Sequence, residues 1–135
     1  KGDVPTSHWF CLSRALTPIR NGAALLSWSG SMFEYLMPSL IMYTPRGSLL
    51  DRTCRLVVKR QIEYGAEHNV PWGISESAYN IRDLTLIYQY SSFGVPGLGL
   101  KRGLGQDLVI SPYSTALAAM YYPGWRWKIL KDLKK

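Results

Sequence analysis

Two cysteines and two histidines in 135 residues leave little material for a metal centre or a redox pair. Cys11 and Cys54 are far apart in sequence and form no CxxC spacing, so neither a zinc site nor a thiol–disulfide motif is indicated, and two neutral thiols are expected. The lack of paired cysteines points towards a reducing, cytoplasmic compartment. His8 and His68 carry no flanking signature of a catalytic base. Long apolar runs are also missing: the longest, Leu36 to Tyr43, is broken by Pro38 and is far shorter than the ~20 residues of a membrane span. The opening residues show no secretory-leader pattern, and a chain starting at Lys1 rather than Met reads as a piece of something longer. There is no internal repeat and no low-complexity tract.

What is present is ordinary globular material, 47% apolar and 19% charged, in a length that suits one domain. The net charge of +7 is uneven: the last ten residues hold Arg126, Lys128, Lys131, Lys134 and Lys135 against Asp132. A basic tail of this kind contacts nucleic acid or anionic lipid in some proteins, but a solvated helix face is the plainer reading, and no nucleic-acid partner is expected.

The most informative stretch is Val70 to Arg102, VPWGISESAYNIRDLTLIYQYSSFGVPGLGLKR. It sets one carboxylate, Glu76, between two serines and surrounds it in sequence with Trp72, Tyr79, Tyr88 and Tyr90. Pyranose rings present flat C–H faces that lie on aromatic rings and hydroxyl edges that need fixed donors and acceptors, so the pattern suits a carbohydrate site. A carboxyl near Trp72 would lose solvation, which favours its protonated form and lets it act as an acid; the competing reading is a loop glutamate paired with an arginine. Glu34 is the candidate second carboxylate or a hydroxyl acceptor, although a helix-capping position gives it an equal structural role. Asp83 is a third candidate, with an ion pair as the alternative. Glycoside chemistry needs two carboxyl groups, ~5 to 5.5 Å apart for retention or ~6.5 to 9.5 Å for inversion.

Two familiar motifs are narrowly missed. Gly73-Ile74-Ser75-Glu76-Ser77 ends in Ser where a nucleophile elbow needs Gly, and Gly97 to Gly103 misses the GxGxxG phosphate loop by one residue. Neither a serine hydrolase nor a nucleotide cradle is therefore expected, and no cofactor. Lys101 and Arg102 are read as holding a substrate hydroxyl or as a plain surface pair.

Local signals predict the elements. Lys1 to Asn21 reads as an irregular lead-in. Ser31 with Glu34 forms a capping box for a helix from Met32 to about Met42, apolar on most sides and kinked or split by Pro38. Ser48 with Asp51 opens a second helix, with Leu50, Cys54, Val57 or Val58, and Ile62 at helical spacing until Gly65 stops it. Val70 to Asn80 reads as loop, and Leu84 to Tyr90 alternates as a strand. Phe93 to Gly105, with five glycines and a proline, is an extended loop whose glycines let backbone approach a ligand. Ser111 and Pro112 open a third helix through Tyr122. Trp127, Leu130 and Leu133 give a narrow stripe on a basic terminal helix.

SHWF, SWSGSMFEYLMPSLIM, RQIEYG, VPWGISESAYN, YQYSSFGVPGLGLKRGL and SPYSTALAAM, in this order over residues 7 to 122, closely resemble the glucoamylase-like domain of bacterial cyclic β-1,2-glucan synthases. The resemblance implies a mainly α fold, a fragment of an (α/α)6 barrel with a short β-strand or hairpin and long active-site loops, related to endo-β-1,2-glucanases. It implies action on a β-1,2-glucan chain by transglycosylation and cyclisation or by hydrolysis. Glu76 would be the general acid with Glu34 in the same cleft, which Trp28, Trp72, Tyr79, Asn80, Lys101 and Arg102 would line; Tyr35, Tyr88 and Tyr90 are further candidate substrate-binding residues. A non-catalytic glucan-binding module is the alternative. The parent would be an inner-membrane protein with this domain on the cytoplasmic side, and its remaining helices and domains would be partners. Residues 123 to 135 depart from the family pattern, and an (α/α)6 barrel takes twelve helices where this length offers about four. The chain thus reads as a partial catalytic domain, weak or inactive alone, whose uncovered apolar faces invite self-association.

Overall fold

The computed structural model describes residues 2–12, 14–20 and 22–125. The expected terminal helix with its Trp127, Leu130 and Leu133 stripe lies outside the described residues. The strands and helices are β1 (Leu16–Ile19), β2 (Gly22–Leu25), α1 (Met32–Leu36), α2 (Pro38–Ile41), α3 (Leu49–Glu67), β3 (Ser77–Arg82), β4 (Tyr88–Ser91) and α4 (Pro112–Ala118).

Helix α3 begins where the sequence says it should. Ser48 Oγ accepts the Asp51 N–H at 3.2 Å, and the Asp51 carboxylate accepts the Gly47 N–H at 2.9 Å, so two otherwise orphaned donors are satisfied. Cys54, Val57, Val58, Gln61 and Tyr64 form its buried face. Gly65 does not end the helix; it lies inside it, where a Cβ would stand 2.9 Å from the Trp72 Cβ. The stop comes later, at Asn69, whose φ of 54° turns the chain back so that the Val70 N–H reaches the Gly65 carbonyl at 3.0 Å.

The helix expected from Met32 is divided at Pro38 into α1 and α2, with the proline at the first position of the second piece. Burial on most sides holds only for α1, where Met32, Tyr35 and Leu36 are enclosed; α2 buries nothing, and Leu40 and Ile41 are exposed. The lead-in is more ordered than its composition suggests. A 3-10 turn spans Thr6–Leu12, and β1 pairs antiparallel with β2, from Leu16 opposite Leu25 to Ile19 opposite Gly22. This hairpin rests on α3, with Gly22 against Leu56 and the Leu25 N–H on Thr53 Oγ1.

The strand expected over Leu84 to Tyr90 is displaced. β3 and β4 pair as Ser77 with Ser91, Ala78 with Tyr90 and Arg82 with Tyr88, and a bulge lies between Ala78 and Arg82. Leu84 to Ile87 belong to the turn. Asp83 Oδ1 gathers the Thr85 and Ile87 N–H groups and the Thr85 hydroxyl at 2.7–3.0 Å, and Leu86 adopts φ 64°. The alternating pattern there marks no buried face, because Leu84, Leu86 and Ile87 all face solvent. Helix α4 is shorter than expected and gives way to turns before Tyr122.

The expectation of a mainly α barrel fragment is overturned. Among the described residues the structure is mixed α and β, with two separate antiparallel hairpins, one 19-residue α-helix and α-helices of four, five and seven residues. Pro38 divides one helix, Pro112 sets where α4 can begin, and hairpins and a glycine-dense loop occupy stretches that a helical layer would need. The core gathers residues of α1, α3 and α4 around Trp72, Ile74, Phe93, Val95 and Leu98, which come from loops.

Candidate functional site

The buried stretch Trp72 to Ser75 leads to Glu76, and buried polar side chains take up its backbone groups. Gln61, wholly enclosed on α3, grips Ile74 on both sides: its Oε1 accepts the Ile74 N–H at 2.8 Å and its Nε2 donates to the Ile74 carbonyl at 2.9 Å. At the start of α4, Thr115 Oγ1 donates to the Trp72 carbonyl, Ser114 Oγ to that of Gly73 and Ser111 Oγ to that of Ser75. Gly73, at φ 116°, has no space for a side chain, since a Cβ would lie 2.4 Å from Thr115 Oγ1. Such matching leaves few buried groups unpaired and fixes the segment's path.

Glu76 sits half-buried at the exit of this segment. A chain of hydroxyls holds its peptide: the Phe33 N–H donates to Ser75 Oγ (3.0 Å), which bonds Tyr113 Oη (2.9 Å), which donates to the Glu76 carbonyl (2.9 Å). Burial pushes the Tyr113 hydroxyl pKa up. The Tyr90 hydroxyl is also raised, by loss of solvation and then by the Glu76 carboxylate beside it. Cross-strand pairing explains that neighbour, because Tyr90 stands opposite Ala78, two residues beyond Glu76 and on the same face of the pleat. Tyr88 stands opposite Arg82, whose guanidinium lies 4.4 Å from its ring centre and also bonds its hydroxyl.

The remaining expected residues are dispersed. Asn80 is exposed on β3, and Tyr79 packs edge-on against Phe93 at 4.9 Å. Lys101 Nζ donates to the Ser92 carbonyl at 2.7 Å and to Ser91 Oγ at 3.3 Å, which ties the end of β4 to the glycine loop. Arg102 is exposed and has no partner among the described residues. Trp72 and Tyr35 are core residues, 8% and 4% exposed. The Tyr35 hydroxyl lies 2.8 Å from the Leu25 carbonyl and 2.7 Å from that of Leu98, and burial raises its pKa. Neither ring is open to a sugar in this chain.

Trp28 and Glu34 line a hollow of about 310 Å³ together with Arg14, Leu26, Ser27 and Leu100. Glu76 is not part of that lining, so the two candidate acids do not share this hollow. Glu34 Oε2 accepts the Ser29 N–H at 2.9 Å, and its own N–H is capped by Ser31. Trp28 is 64% exposed. Asp83, the third carboxylate, serves the hairpin turn; hydrogen bonds from Thr85 and then Ile87 hold its pKa below the usual carboxylate range.

The glycine loop closes on protein. A Cβ on Gly94 would stand 1.8 Å from the Ser29 carbonyl oxygen, and one on Gly99 would stand 2.5 Å from the Gly30 nitrogen. Ser27 forms a parallel bridge to Gly99, and the Lys101 N–H reaches the Trp28 carbonyl at 2.8 Å. These glycines thus serve a backbone crossing. Gln61, Ser114, Thr115, Tyr113 and Arg14 were not anticipated, and Ser111, expected as a helix cap, instead donates to the Ser75 carbonyl, since these roles lie in partners remote in sequence; only the density of small hydroxyl residues in SPYST hinted at them.

Among the described residues, no cluster of three His, Cys, Asp or Glu side chains has the arrangement of a metal site, and no helix is long and apolar enough to cross a membrane. No family model matches the chain. Over 123 residues, 91% of its length, the chain is 58% identical to the cyclic β-(1,2)-glucan synthase NdvB of Rhizobium meliloti (strain 1021), and it spans 4% of that protein. The chain is therefore related in sequence to a small part of a much larger synthase.

Proposed function

We propose that the chain is part of the glucoamylase-like region of a cyclic β-1,2-glucan synthase and acts on β-1,2-glucan by transglycosylation and cyclisation or by hydrolysis. The observation that carries this reading is the 58% identity to such a synthase across nearly the whole chain. The firmly held peptide of Glu76 supports it, because an acid must be kept in one geometry to protonate a glycosidic oxygen. In this reading Glu76 is the proton donor. A second carboxylate, either Glu34 or one outside these residues, attacks the anomeric carbon or activates the acceptor, and a hydroxyl of the same glucan replaces water in cyclisation.

The test is Glu76→Gln in the intact synthase polypeptide, with products followed by mass spectrometry. Turnover by this region is expected to fall about a hundredfold or more while glucan binding persists. Unchanged turnover rejects the role of Glu76. The isolated chain is expected to turn over little glucan.

A second reading, a non-catalytic glucan-binding module, is favoured by one observation: Trp28 and Tyr90 are open to solvent, as stacking faces for a sugar must be. Glu76→Gln separates the two, since a module keeps all of its function.

A further inference from the structure

We propose that Tyr113 is a positioning residue for Glu76: its hydroxyl, at the end of a one-way chain of hydrogen bonds that starts on α1, holds the Glu76 peptide at the joint between the buried segment and the β3–β4 hairpin. The inference deepens the reading of Glu76 as the proton donor and rests on it.

The direction of the chain follows from its ends. The Phe33 N–H can only donate, and it reaches Ser75 Oγ at 3.0 Å; the Glu76 carbonyl can only accept, and Tyr113 Oη lies 2.9 Å from it. The Ser75 hydroxyl therefore gives its own proton to Tyr113 Oη across 2.9 Å, and each hydroxyl accepts one hydrogen bond and donates one. Bonds aligned in this way polarise and strengthen one another.

The chain joins three elements. Phe33 stands in the first turn of α1 beside Glu34, Ser75 closes the buried segment, and Tyr113 lies in the first turn of α4. The Met32 N–H adds a second tie, to the Ile74 carbonyl at 3.1 Å, so the turn that carries Glu34 is fixed to the segment that delivers Glu76.

Glu76 needs such a hold because its two sides are unequal. Before it, Gln61, Ser111, Ser114 and Thr115 fix the path from Trp72 to Ser75; after it, Ser77 enters a hairpin on which Ile81, Tyr88 and Tyr90 are exposed. Without the Tyr113 hydroxyl, movement of the hairpin passes to Glu76, and a small displacement of a reacting group costs rate more than binding. The Tyr113 ring packs edge-on against Phe33, with centroids 6.3 Å apart, and the residue is 42% exposed. Tyr113→Phe thus keeps the packing and lets water reach the freed carbonyl, which spares the fold.

The experiment is steady-state kinetics of the intact synthase polypeptide on a linear β-1,2-glucan. Tyr113→Phe is expected to lower kcat about tenfold or more, with KM within about twofold of the parent's. Ser75→Ala breaks the same chain, so the double variant should lose no more than the worse of the two single variants. Hydrogen exchange read by mass spectrometry should quicken at residues 76 to 79 in Tyr113→Phe, while α3 keeps the parent's rates. Unchanged kcat or exchange, a rise in KM that accounts for the loss, losses that multiply in the double variant, or faster exchange across α3 overturns the inference. Should Ser75→Ala fail to fold, Tyr113→Phe decides alone. Glu76→Gln is run alongside: if it is inactive while Tyr113→Phe keeps full kcat, only the positioning role falls, and if Glu76→Gln keeps full turnover, the reading of Glu76 falls and the positioning role with it.

Discussion

Among the described glycines the closest approach is at Gly94, which lies where two backbones cross. Gly94→Ala puts a methyl group 1.8 Å from the Ser29 carbonyl oxygen, so one strand of the crossing must move. Stability is expected to fall by about 3 kcal/mol or more in denaturant unfolding, whereas Gly105→Ala, whose nearest obstacle is Pro96 Cγ at 3.6 Å, is tolerated. Equal effects from the two would show that the crossing is looser than described. Asp51 gives a second residue-scale prediction. The Gly47 N–H, and then Arg55, hold its carboxyl below the usual carboxylate pKa against the opposing loss of solvation. A lowered folded-state pKa means that its contribution is complete above the unfolded value of ~4 and is lost as pH falls through the folded value. Asp51→Asn should therefore lower the melting temperature by a constant amount between about pH 5 and 7, worth about 1 kcal/mol, and the gap to the parent should close in stronger acid. A gap that persists in strong acid would assign the effect to packing.

Among the elements, α3 does more than fill the core, because it carries Gln61 to the segment that delivers Glu76. Gln61→Met keeps the volume but leaves the Ile74 N–H buried without an acceptor; the Ile74 carbonyl still receives the Met32 N–H at 3.1 Å. Loss of about 3 kcal/mol is expected in urea unfolding. A change below about 0.5 kcal/mol would mean that water replaces the amide. The β3–β4 hairpin is held differently. Its tip rests on Asp83 and its base on Lys101, and between them Tyr88 and Tyr90 stay exposed on a ribbon with little packing beneath. Its register places Tyr90 beside Glu76, and a one-residue slip would carry Tyr90 to the other face.

At the scale of the whole molecule, exposed apolar side chains gather around α2 and the turn after it, at Leu40, Ile41, Met42 and Tyr43. Patches of this kind mark contact surfaces. Sedimentation of the 135-residue chain is expected to show association that rises with concentration, and Ile41→Lys combined with Met42→Lys should shift it towards monomer. If the double variant associates like the parent, the contact lies elsewhere.

What the sequence determined by itself is whatever is decided within about four residues. Ser31 and Ser48 cap their helices because each hydroxyl meets an N–H three positions on, and Pro38 divides a helix because it brings no donor of its own. The resemblance to glucan synthases was legible for a similar reason, since its motifs are short continuous strings, and a related synthase matches 91% of the chain. The tertiary structure decided everything that depends on distant partners. Trp72 and Tyr35 have the composition of a sugar platform but are enclosed by α3 and by the Leu25 and Leu98 carbonyls, while Trp28, no different as a residue, is left in water. Gly65 has the look of a helix stop, but Trp72 needs the space inside the helix; the glycine loop suggests room for a ligand and instead receives Ser29 and Gly30. The alternation of Leu84 to Tyr90 misplaced a strand because Asp83 captures the turn. In each case, burial is set by which segments meet, and hydrophobic pattern alone does not name the partner.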